Sequence, residues 1–248
     1  FFFFDRFVGR ISPTMSLAQM RDAGNKIVGN HLLSLGSKIV AIGRNYGKHA
    51  AELNNPIPTK PVLFLKPRSS YLRPGGTIVV PDDMDSVHHE VELGVVIGKS
   101  AHKVTTEAAM DHVAGYVVAL DITAREAQSE AKAAGLPWAT AKGYDTFCPV
   151  SDFVHKKRVE DPHALTLWCA VNGQERQRGT TADMIFSIPT LIAHVSSIMT
   201  LEEGDLLLTG TPEGVGPLVP GDTVTIGVDG LWDGVEFTVG RDGAEGSS

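Results

Sequence analysis

Short stretches of alternating hydrophobic and polar residues run through most of the chain, a pattern typical of β-strands with one buried face. Clusters of Gly and Pro separate these stretches, as they do at turns between strands. No regular alternation of strand and helix patterns appears, and this disfavours a TIM barrel or a doubly wound sheet. The pattern predicts strands at Ile39–Ile42, Val62–Lys66, Thr77–Val80, Glu90–Ile97, Gly115–Leu120, Leu165–Val171, Asp205–Thr209, Thr223–Val228 and Val235–Val239.

Helical spacing of apolar residues is confined to three segments, at 46–53, after Asp121 and at 188–199. In the second segment, residues 123–126 form a capping box, and Gly135 is predicted to end the helix. With so few helices, the predicted fold class is mixed and mainly β (α+β), with a few peripheral helices.

The chain has 248 residues, enough for one substantial domain. Both ends have a peripheral composition, so we predict an N-terminal extension at 1–37, a main domain at 38–239 and a flexible tail at 240–248. The Arg and Ser residues of the extension are compatible with the remnant of an organellar targeting peptide, although Asp5 and Asp22 disfavour that interpretation.

Charge and cysteine content restrict the partners and the compartment. A net charge of −7 disfavours nucleic acid, because phosphates attract clustered Lys and Arg. No apolar run approaches the roughly 20 residues that span a bilayer, so no membrane partner is predicted. Cys148 and Cys169 are the only cysteines, which suits a reducing compartment. We therefore predict an intracellular location, either mitochondrial or cytoplasmic.

Glu90 and Glu92 stand two residues apart in an otherwise apolar predicted strand. Side chains at i and i+2 of a strand point to the same face, so the two carboxylates are predicted to lie together. They repel each other unless a cation lies between them. With Asp121, at the end of a buried-strand pattern, they form an all-oxygen set that suits Mg²⁺ or Mn²⁺. The alternatives are a solvated strand face and, for Asp121, a helix-entry residue.

Four further residues are candidates for binding an anionic substrate. Arg125 and Gln128 lie one turn apart near a helix N-terminus, which favours a substrate carboxylate. Lys142 lies among small and apolar residues, where a partly desolvated ammonium stabilises a developing enolate. Lys66 follows an apolar run and is a weaker candidate of the same kind. The competing interpretations are a solvated helix face and snorkelling lysines.

His49 and Glu52 lie three residues apart in the first predicted helix. A His oriented by a carboxylate can act as a general base on water, although surface pairs of this kind are usually inert. The glycine-rich segment 208–217 lacks the Gly-Lys-Ser/Thr ending of a phosphate loop, which disfavours nucleotide binding. Its Thr211 can offer a hydroxyl and an N–H to a carboxylate, and the alternative is a plain tight turn.

Six motifs, taken together and in this order, resemble the fumarylacetoacetate hydrolase superfamily. They are GRNYGKH at 43–49, VLFLKP at 62–67, HHEVELG at 88–94, LDITAR at 120–125, GLPWATAK at 135–142 and TGTPEGVG at 209–216. The likeness runs from about residue 38 to 230 at compatible spacing. It implies a β-roll or sandwich like the C-terminal domain of that family, a catalytic role for 38–239, and a homodimer.

The resemblance also implies a role for each group of candidates. The metal, Mg²⁺ (or Mn²⁺), is expected on Glu90, Glu92 and Asp121. The substrate is expected to contact Arg125, Gln128, Lys142 and Thr211. The expected water-activating pair is His49 with Glu52.

The function implied by the resemblance is metal-dependent acylpyruvate hydrolysis, a C–C bond cleavage that releases pyruvate. Oxaloacetate decarboxylation through a pyruvate enolate stabilised by the metal is the expected second activity. The expected substrates are thus small α-keto acids. Two alternatives stay open. One is an oxaloacetate keto–enol tautomerase, which needs the enolising site but not the water-activating pair. The other is a catalytically silent metal-binding or interaction protein.

Overall fold

The computed structural model of the protein describes residues 17–47 and 57–241. Two large β-sheets and two small ones form its framework. The first large sheet has the strand order β2 (Val62–Lys66), β1 (Ile39–Gly43), β12 (Leu206–Leu208), β6 (Val91–Ile97), β7 (Val113–Leu120) and β9 (Val154–His155). The second has the order β11 (Gln174–Thr180), β10 (Thr166–Val171), β14 (Thr223–Val228), β15 (Trp232–Arg241) and β4 (Thr77–Val80). The small sheets pair β13 (Gly216–Leu218) with β5 (Val87–His89), and β3 (Tyr71–Leu72) with β8 (Cys148–Pro149).

A hydrophobic core joins the two large sheets. Alternate residues of β6, such as Leu93 and Val95, belong to the same buried cluster as Leu167 and Ile226 of the second sheet. Val96 of β6 belongs instead to a second cluster on the opposite face of the six-stranded sheet. Because successive strand residues point to opposite faces, β6 is buried along its whole length and its sequence is almost entirely apolar.

Four α-helices lie around the sheets in the described part of the chain. They are α1 (Leu17–Leu35), α2 (Arg125–Ala134), α3 (Ala139–Lys142) and α4 (Ile188–Ile198). The prediction of a helix at 188–199 is confirmed by α4, whose apolar face is buried. Gly135 ends α2 as predicted, in a left-handed conformation with φ 66° that a glycine adopts at little cost. Among the described helices, none has an apolar run long enough to cross a bilayer.

The helix α1 was not predicted from the sequence. Its C-terminal half contacts the face of the six-stranded sheet that lies away from the main core, where Leu33 is buried. The side-chain amide of Asn30 donates to Asp152 Oδ1 (2.8 Å) and accepts from the backbone N–H of Phe153 (3.0 Å). These contacts join residues more than 100 positions apart, so the local apolar pattern does not reveal them.

The mixed, mainly β fold class is confirmed, and every predicted strand corresponds to an observed one with ends shifted by a few residues. The strand predicted at Glu90–Ile97 is corrected at its start, because Glu90 lies at the break between β5 and β6. The missed strands are either two or three residues long or, like β11, mostly polar. The helix predicted at 46–53 lies almost entirely outside the described residues. The boundaries predicted at 37 and 239 stay predictions.

Candidate active site

Three buried carboxylates meet where the β6–β7 pair begins. Val91 pairs with Leu120, and the backbone N–H of Asp121 donates to the Glu90 carbonyl (2.9 Å), which extends the ladder by one residue. Ligand oxygens of Glu90, Glu92 and Asp121 all lie within 4.8 Å of one another. The three residues are only 6%, 1% and 1% exposed, respectively. The i, i+2 spacing and the end of the neighbouring strand thus place the carboxylates together, as predicted.

Asp121 lies between two buried lysines. Lys66 Nζ, from the end of β2, contacts Asp121 Oδ1 at 2.7 Å and donates to the Ile122 carbonyl at 3.1 Å. Lys142 Nζ, from the end of α3, contacts Asp121 Oδ2 at 2.5 Å. Burial lowers the pKa of Lys66, and the charge of Asp121 opposes that shift. Two cations on opposite oxygens hold this carboxylate in one orientation.

Lys142 uses all three of its N–H donors within the site. Besides Asp121, its ammonium contacts Glu90 Oε2 at 3.0 Å and Thr123 Oγ1 at 2.6 Å. Burial alone lowers the pKa of Lys142, but the charges of Asp121 and Glu90 outweigh burial and raise it. Its ammonium also lies 4.9 Å from the centre of the Phe64 ring. Lys142 is therefore a protonated, immobilised cation beside the carboxylates.

The capping box predicted at 123–126 is wrong. The N-cap of α2 is Ala124, and no side chain caps this end of the helix. Thr123 lies one residue earlier, where its backbone pairs with His88 and its hydroxyl donates to the Asp121 carbonyl at 3.0 Å. The hydroxyl oxygen accepts from Lys142, so the buried ammonium determines the orientation of Thr123 in place of the helix end.

Glu92 is the carboxylate that most needs a cation. Its Oε2 accepts the backbone N–H of Gly210 at 2.6 Å, and no ion pair to Glu92 occurs within the described ranges. Burial, followed by the charges of Asp121 and Glu90, raises its pKa well above the ordinary range. A divalent cation on these oxygens would remove that cost, because hard cations prefer carboxylate ligands and offset their mutual repulsion. The residues present therefore fit Mg²⁺ or Mn²⁺.

Arg125 connects the carboxylates to α2. Its Nη2 forms an ion pair with Glu90 Oε1, and its Nη1 donates to Gln128 Oε1 at 2.7 Å. Burial first, and then the positive charge of Arg125, lower the pKa of the neighbouring His88 to about 4. Arg125 and Gln128 thus share one face of the helix beside the site, as their spacing predicted. Their contact with substrate stays a prediction.

Gln177 is a site residue that the sequence did not reveal. It is the one buried residue of the polar strand β11. Its Oε1 accepts the Val91 N–H at 3.0 Å, and its Nε2 donates to the Pro212 carbonyl at 2.9 Å. These two backbone groups determine the amide orientation, because one only donates and the other only accepts. His89 Nδ1, which is 2.8 Å from Oε1, must therefore carry the proton.

Gln177 also orients Thr211. The amide Nε2 donates to Thr211 Oγ1 at 2.8 Å, so the hydroxyl hydrogen of Thr211 remains free to donate elsewhere. Thr211 is 3% exposed and follows Gly210, whose φ of 99° and backbone N–H bring the loop against Glu92. A hydroxyl held in this state suits an anionic oxygen, which is the role predicted for Thr211.

The predicted water-activating pair, His49 and Glu52, lies outside the described residues. The other eight predicted site residues are the three carboxylates themselves and five residues that lie beside them. Those directly bonded to a carboxylate are Lys66, Arg125 and Lys142.

Comparison with known proteins identifies relatives over most of the chain. The family model described as fumarylacetoacetate (FAA) hydrolase C-terminal matches residues 38–235. A mitochondrial oxaloacetate tautomerase of Arabidopsis thaliana is 58% identical over 206 residues, which cover 83% of this chain and 92% of that protein. A mitochondrial oxaloacetate decarboxylase of Dictyostelium discoideum is 53% identical over 211 residues, with coverage of 85% and 97%.

A solved structure supports the same relationship. The crystal structure of fumarylpyruvate hydrolase from Pseudomonas aeruginosa, in complex with Mn²⁺ and pyruvate, matches with a TM-score of 0.77 at 31% identity. The match covers 83% of this chain and 90% of that chain.

Proposed function

Because this chain belongs to the fumarylacetoacetate hydrolase family, whose members are enzymes, we propose that it interconverts the keto and enol forms of oxaloacetate with a divalent metal. Decarboxylation of oxaloacetate is proposed as a second reaction of the same site. The observation that carries the proposal is the group of three buried carboxylates with protonated Lys142 among them. Relatives named oxaloacetate tautomerase and oxaloacetate decarboxylase support the choice of substrate.

Glu90, Glu92 and Asp121 would hold the metal, Mg²⁺ or Mn²⁺. When bound, such a cation supplies Lewis acidity that stabilises negative charge on a substrate oxygen. The all-oxygen ligand set supports this assignment, as does the lack of an ion pair to Glu92 within the described residues. The Mn²⁺ in the fumarylpyruvate hydrolase structure supports it for a relative.

The side chains around the carboxylates would bind and orient the substrate. Arg125, Gln128 and Thr211 offer donors for the carboxylate next to the keto group. Lys142 is held protonated, so its positive charge is suited to stabilise the enolate as negative charge develops on the keto oxygen. Lys66 makes its contacts with Asp121 and Ile122, and we propose that it orients Asp121.

The proton balance of tautomerisation is simple. A base removes one proton from C3 of oxaloacetate, and the C2 oxygen gains one proton, so no water is consumed. His49 assisted by Glu52 is our candidate for the base, on the i, i+3 spacing in the sequence. We propose that the positive charge of Lys142 lies near the C2 oxygen, where the negative charge forms.

Acylpyruvate hydrolysis is a second candidate function, and the 31% identical fumarylpyruvate hydrolase favours it. This reaction needs water to attack the distal carbonyl, after which the C–C bond breaks and pyruvate leaves as its enolate. His49 with Glu52 would activate the water. The reaction shares the enolate, and therefore Lys142 and the carboxylates, with the reactions of oxaloacetate.

The test is to assay the purified protein with oxaloacetate and acetylpyruvate in the presence of Mg²⁺, Mn²⁺ or excess chelator. We expect metal-dependent conversion of the enol of oxaloacetate, measured by ultraviolet absorbance, and slower release of pyruvate. Full activity in excess chelator would refute the metal assignment. Metal-dependent binding of oxalate in calorimetry, without turnover of either substrate, would instead identify a catalytically silent metal-binding protein.

We also propose a mitochondrial location, which the names of the two relatives support. Fractionation of cells that express the full-length protein tests this location, and recovery only in the cytosol would contradict it. The homodimer implied by the family resemblance stays a prediction, which analytical ultracentrifugation can test.

A further inference from the structure

A second group of cationic side chains extends from the carboxylates along α2. Arg125, Gln128 and Lys132 stand at i, i+3 and i+7, so they occupy one face of this helix. Arg125 forms the ion pair with Glu90, which places the first turn of the helix beside the carboxylates. Lys132 lies two turns farther along, about 10 Å along the helix axis. The backbone of this face leads away from the carboxylates, but the Lys132 side chain reaches back towards Arg125.

Lys132 and Arg125 converge on one neutral oxygen. Lys132 Nζ donates to Gln128 Oε1 at 3.2 Å, and Arg125 Nη1 donates to the same oxygen at 2.7 Å. The two cationic nitrogens are thus no farther apart than the sum of these distances. No ion pair within 17–47 and 57–241 involves Lys132. Arg125 already has Glu90 as its anionic partner, whereas the Lys132 ammonium faces a second cation and a neutral amide oxygen, so an anion that bound to Lys132 would lower the electrostatic cost of this arrangement.

The side chain of Lys132 has a defined position. Its ammonium lies 5.2 Å from the centre of the Trp138 ring. The edge of that ring lies close to Gly43 at the end of β1, where an added Cβ would be 3.3 Å from the ring. Arg44 follows Gly43 in the chain, so this contact places the Arg44 backbone near Trp138 and Lys132.

Arg44 is a third cation in the neighbourhood of Arg125 and Lys132. Its backbone has a φ of 61°, which is unusual for a residue with a side chain. Its buried Nε has no hydrogen-bond partner within the part of the chain that the structure describes. Burial first, then the charges of Arg125 and Arg44, lower the pKa of Lys132 to about 8. Arg44 therefore lies within electrostatic range of Lys132.

We propose that Lys132, assisted by Arg44, binds the second carboxylate of a dicarboxylic α-keto acid, such as C4 of oxaloacetate. The inference rests on the proposed function, in which the keto group and the adjacent carboxylate lie at the metal ligands and Arg125. An excess of positive charge beyond that end suits a second anion. This positive charge does not stabilise the neutral acyl group of acetylpyruvate. Lys132 is thus a specificity-determining residue.

A cation at C4 also affects which reaction occurs. In decarboxylation the C3–C4 bond breaks, its electron pair moves into the enolate, and C4 leaves as neutral CO₂. The C4 carboxylate must then lose its charge, which a bound ammonium opposes. In tautomerisation C3 loses a proton and the C2 oxygen gains one, while the charge at C4 is unchanged. Lys132 therefore favours tautomerisation over decarboxylation.

The kinetic test is Lys132→Met, with Lys132→Arg as the variant that keeps the charge. We expect kcat/KM for oxaloacetate tautomerisation to fall about 10- to 100-fold in Lys132→Met, because a charge-assisted hydrogen bond is lost. The value for acetylpyruvate should stay within about twofold, and pyruvate formed per tautomerisation event should rise. Lys132→Arg should recover most of the oxaloacetate activity. Lys99→Met, at an exposed lysine beyond the far end of β6, is the matched control.

Equal losses for oxaloacetate and acetylpyruvate in Lys132→Met would overturn the proposal. A second measurement keeps it independent of turnover. L-Malate and lactate differ by one distal carboxylate, and calorimetry in Mg²⁺ should show tighter binding of malate to the wild type. Lys132→Met should abolish that difference, while the affinity for oxalate is unchanged. If the wild type turns over neither substrate, the proposed function fails. If it binds malate no more tightly than lactate, the distal-carboxylate site fails.

Discussion

Replacement of Gln177 by Leu removes a buried polar connection with little change in side-chain volume. Gln177 is 1% exposed and joins β11 to two segments that line the site. In the variant, the Val91 N–H and the Pro212 carbonyl lose their partner and stay buried. Each unpaired buried backbone group costs about 1–3 kcal/mol. The more favourable burial of Leu offsets part of this cost, so we expect a net loss of about 3 kcal/mol in the free energy of unfolding.

In a protein of this size, a loss of about 3 kcal/mol lowers the midpoint of thermal unfolding by about 6–12 °C. Differential scanning calorimetry measures this shift. Gln174→Leu makes the same chemical change at an exposed position of the same strand, and we expect it to change the stability by less than about 0.5 kcal/mol. A Gln177→Leu midpoint within about 1 °C of the wild type would refute the view that the side-chain hydrogen bonds of Gln177, to His89, Val91, Thr211 and Pro212, stabilise the protein.

Three further predictions address the metal, the base and the pH dependence of stability. Glu92→Gln removes one of three carboxylates, so we expect the affinity for Mg²⁺ or Mn²⁺, measured by calorimetry, to fall at least about tenfold. Both reactions of oxaloacetate should slow together, and unchanged metal affinity would contradict the ligand assignment. His49→Ala should lower acylpyruvate hydrolysis about 10²- to 10⁴-fold and spare oxaloacetate decarboxylation, which needs no attacking water, and equal losses would refute that division. Asp205 is fully buried and accepts from the backbone N–H groups of Ser37 (2.7 Å), Lys38 (3.0 Å) and Glu202 (2.8 Å), and from the Lys38 ammonium at 2.5 Å. Burial raises the pKa of Asp205, but these donors outweigh burial and lower that pKa. The ionised carboxylate therefore stabilises the fold above the ordinary carboxyl pKa of about 4, and this stabilisation is lost as the pH falls through the folded-state pKa. Asp205→Asn should therefore cost about 3 kcal/mol at pH 7 and progressively less in acid, as measured by urea unfolding, whereas a cost independent of pH would contradict the ionic role.

The sequence predicted the elements that depend on local periodicity. A period of two residues identified the strands, and it also indicated that Glu90 and Glu92 point to one side, because strand geometry alone decides that relation. Asp121 was recognisable as a polar residue directly after a buried strand. The spacing of Arg125 and Gln128 likewise follows from helix geometry. These relations need no knowledge of which strands are neighbours.

The tertiary structure decided how the polar groups of the site are paired. The partners of Lys142 lie 19 to 52 positions away in the chain, and those of Gln177 lie 34 to 88 positions away. A buried polar side chain must find a partner wherever the fold supplies one, so its local sequence does not reveal its role. For that reason Thr123 binds the Lys142 ammonium although its sequence predicts a helix cap. Gln177 likewise connects segments that line the site, although its strand looks solvent-exposed.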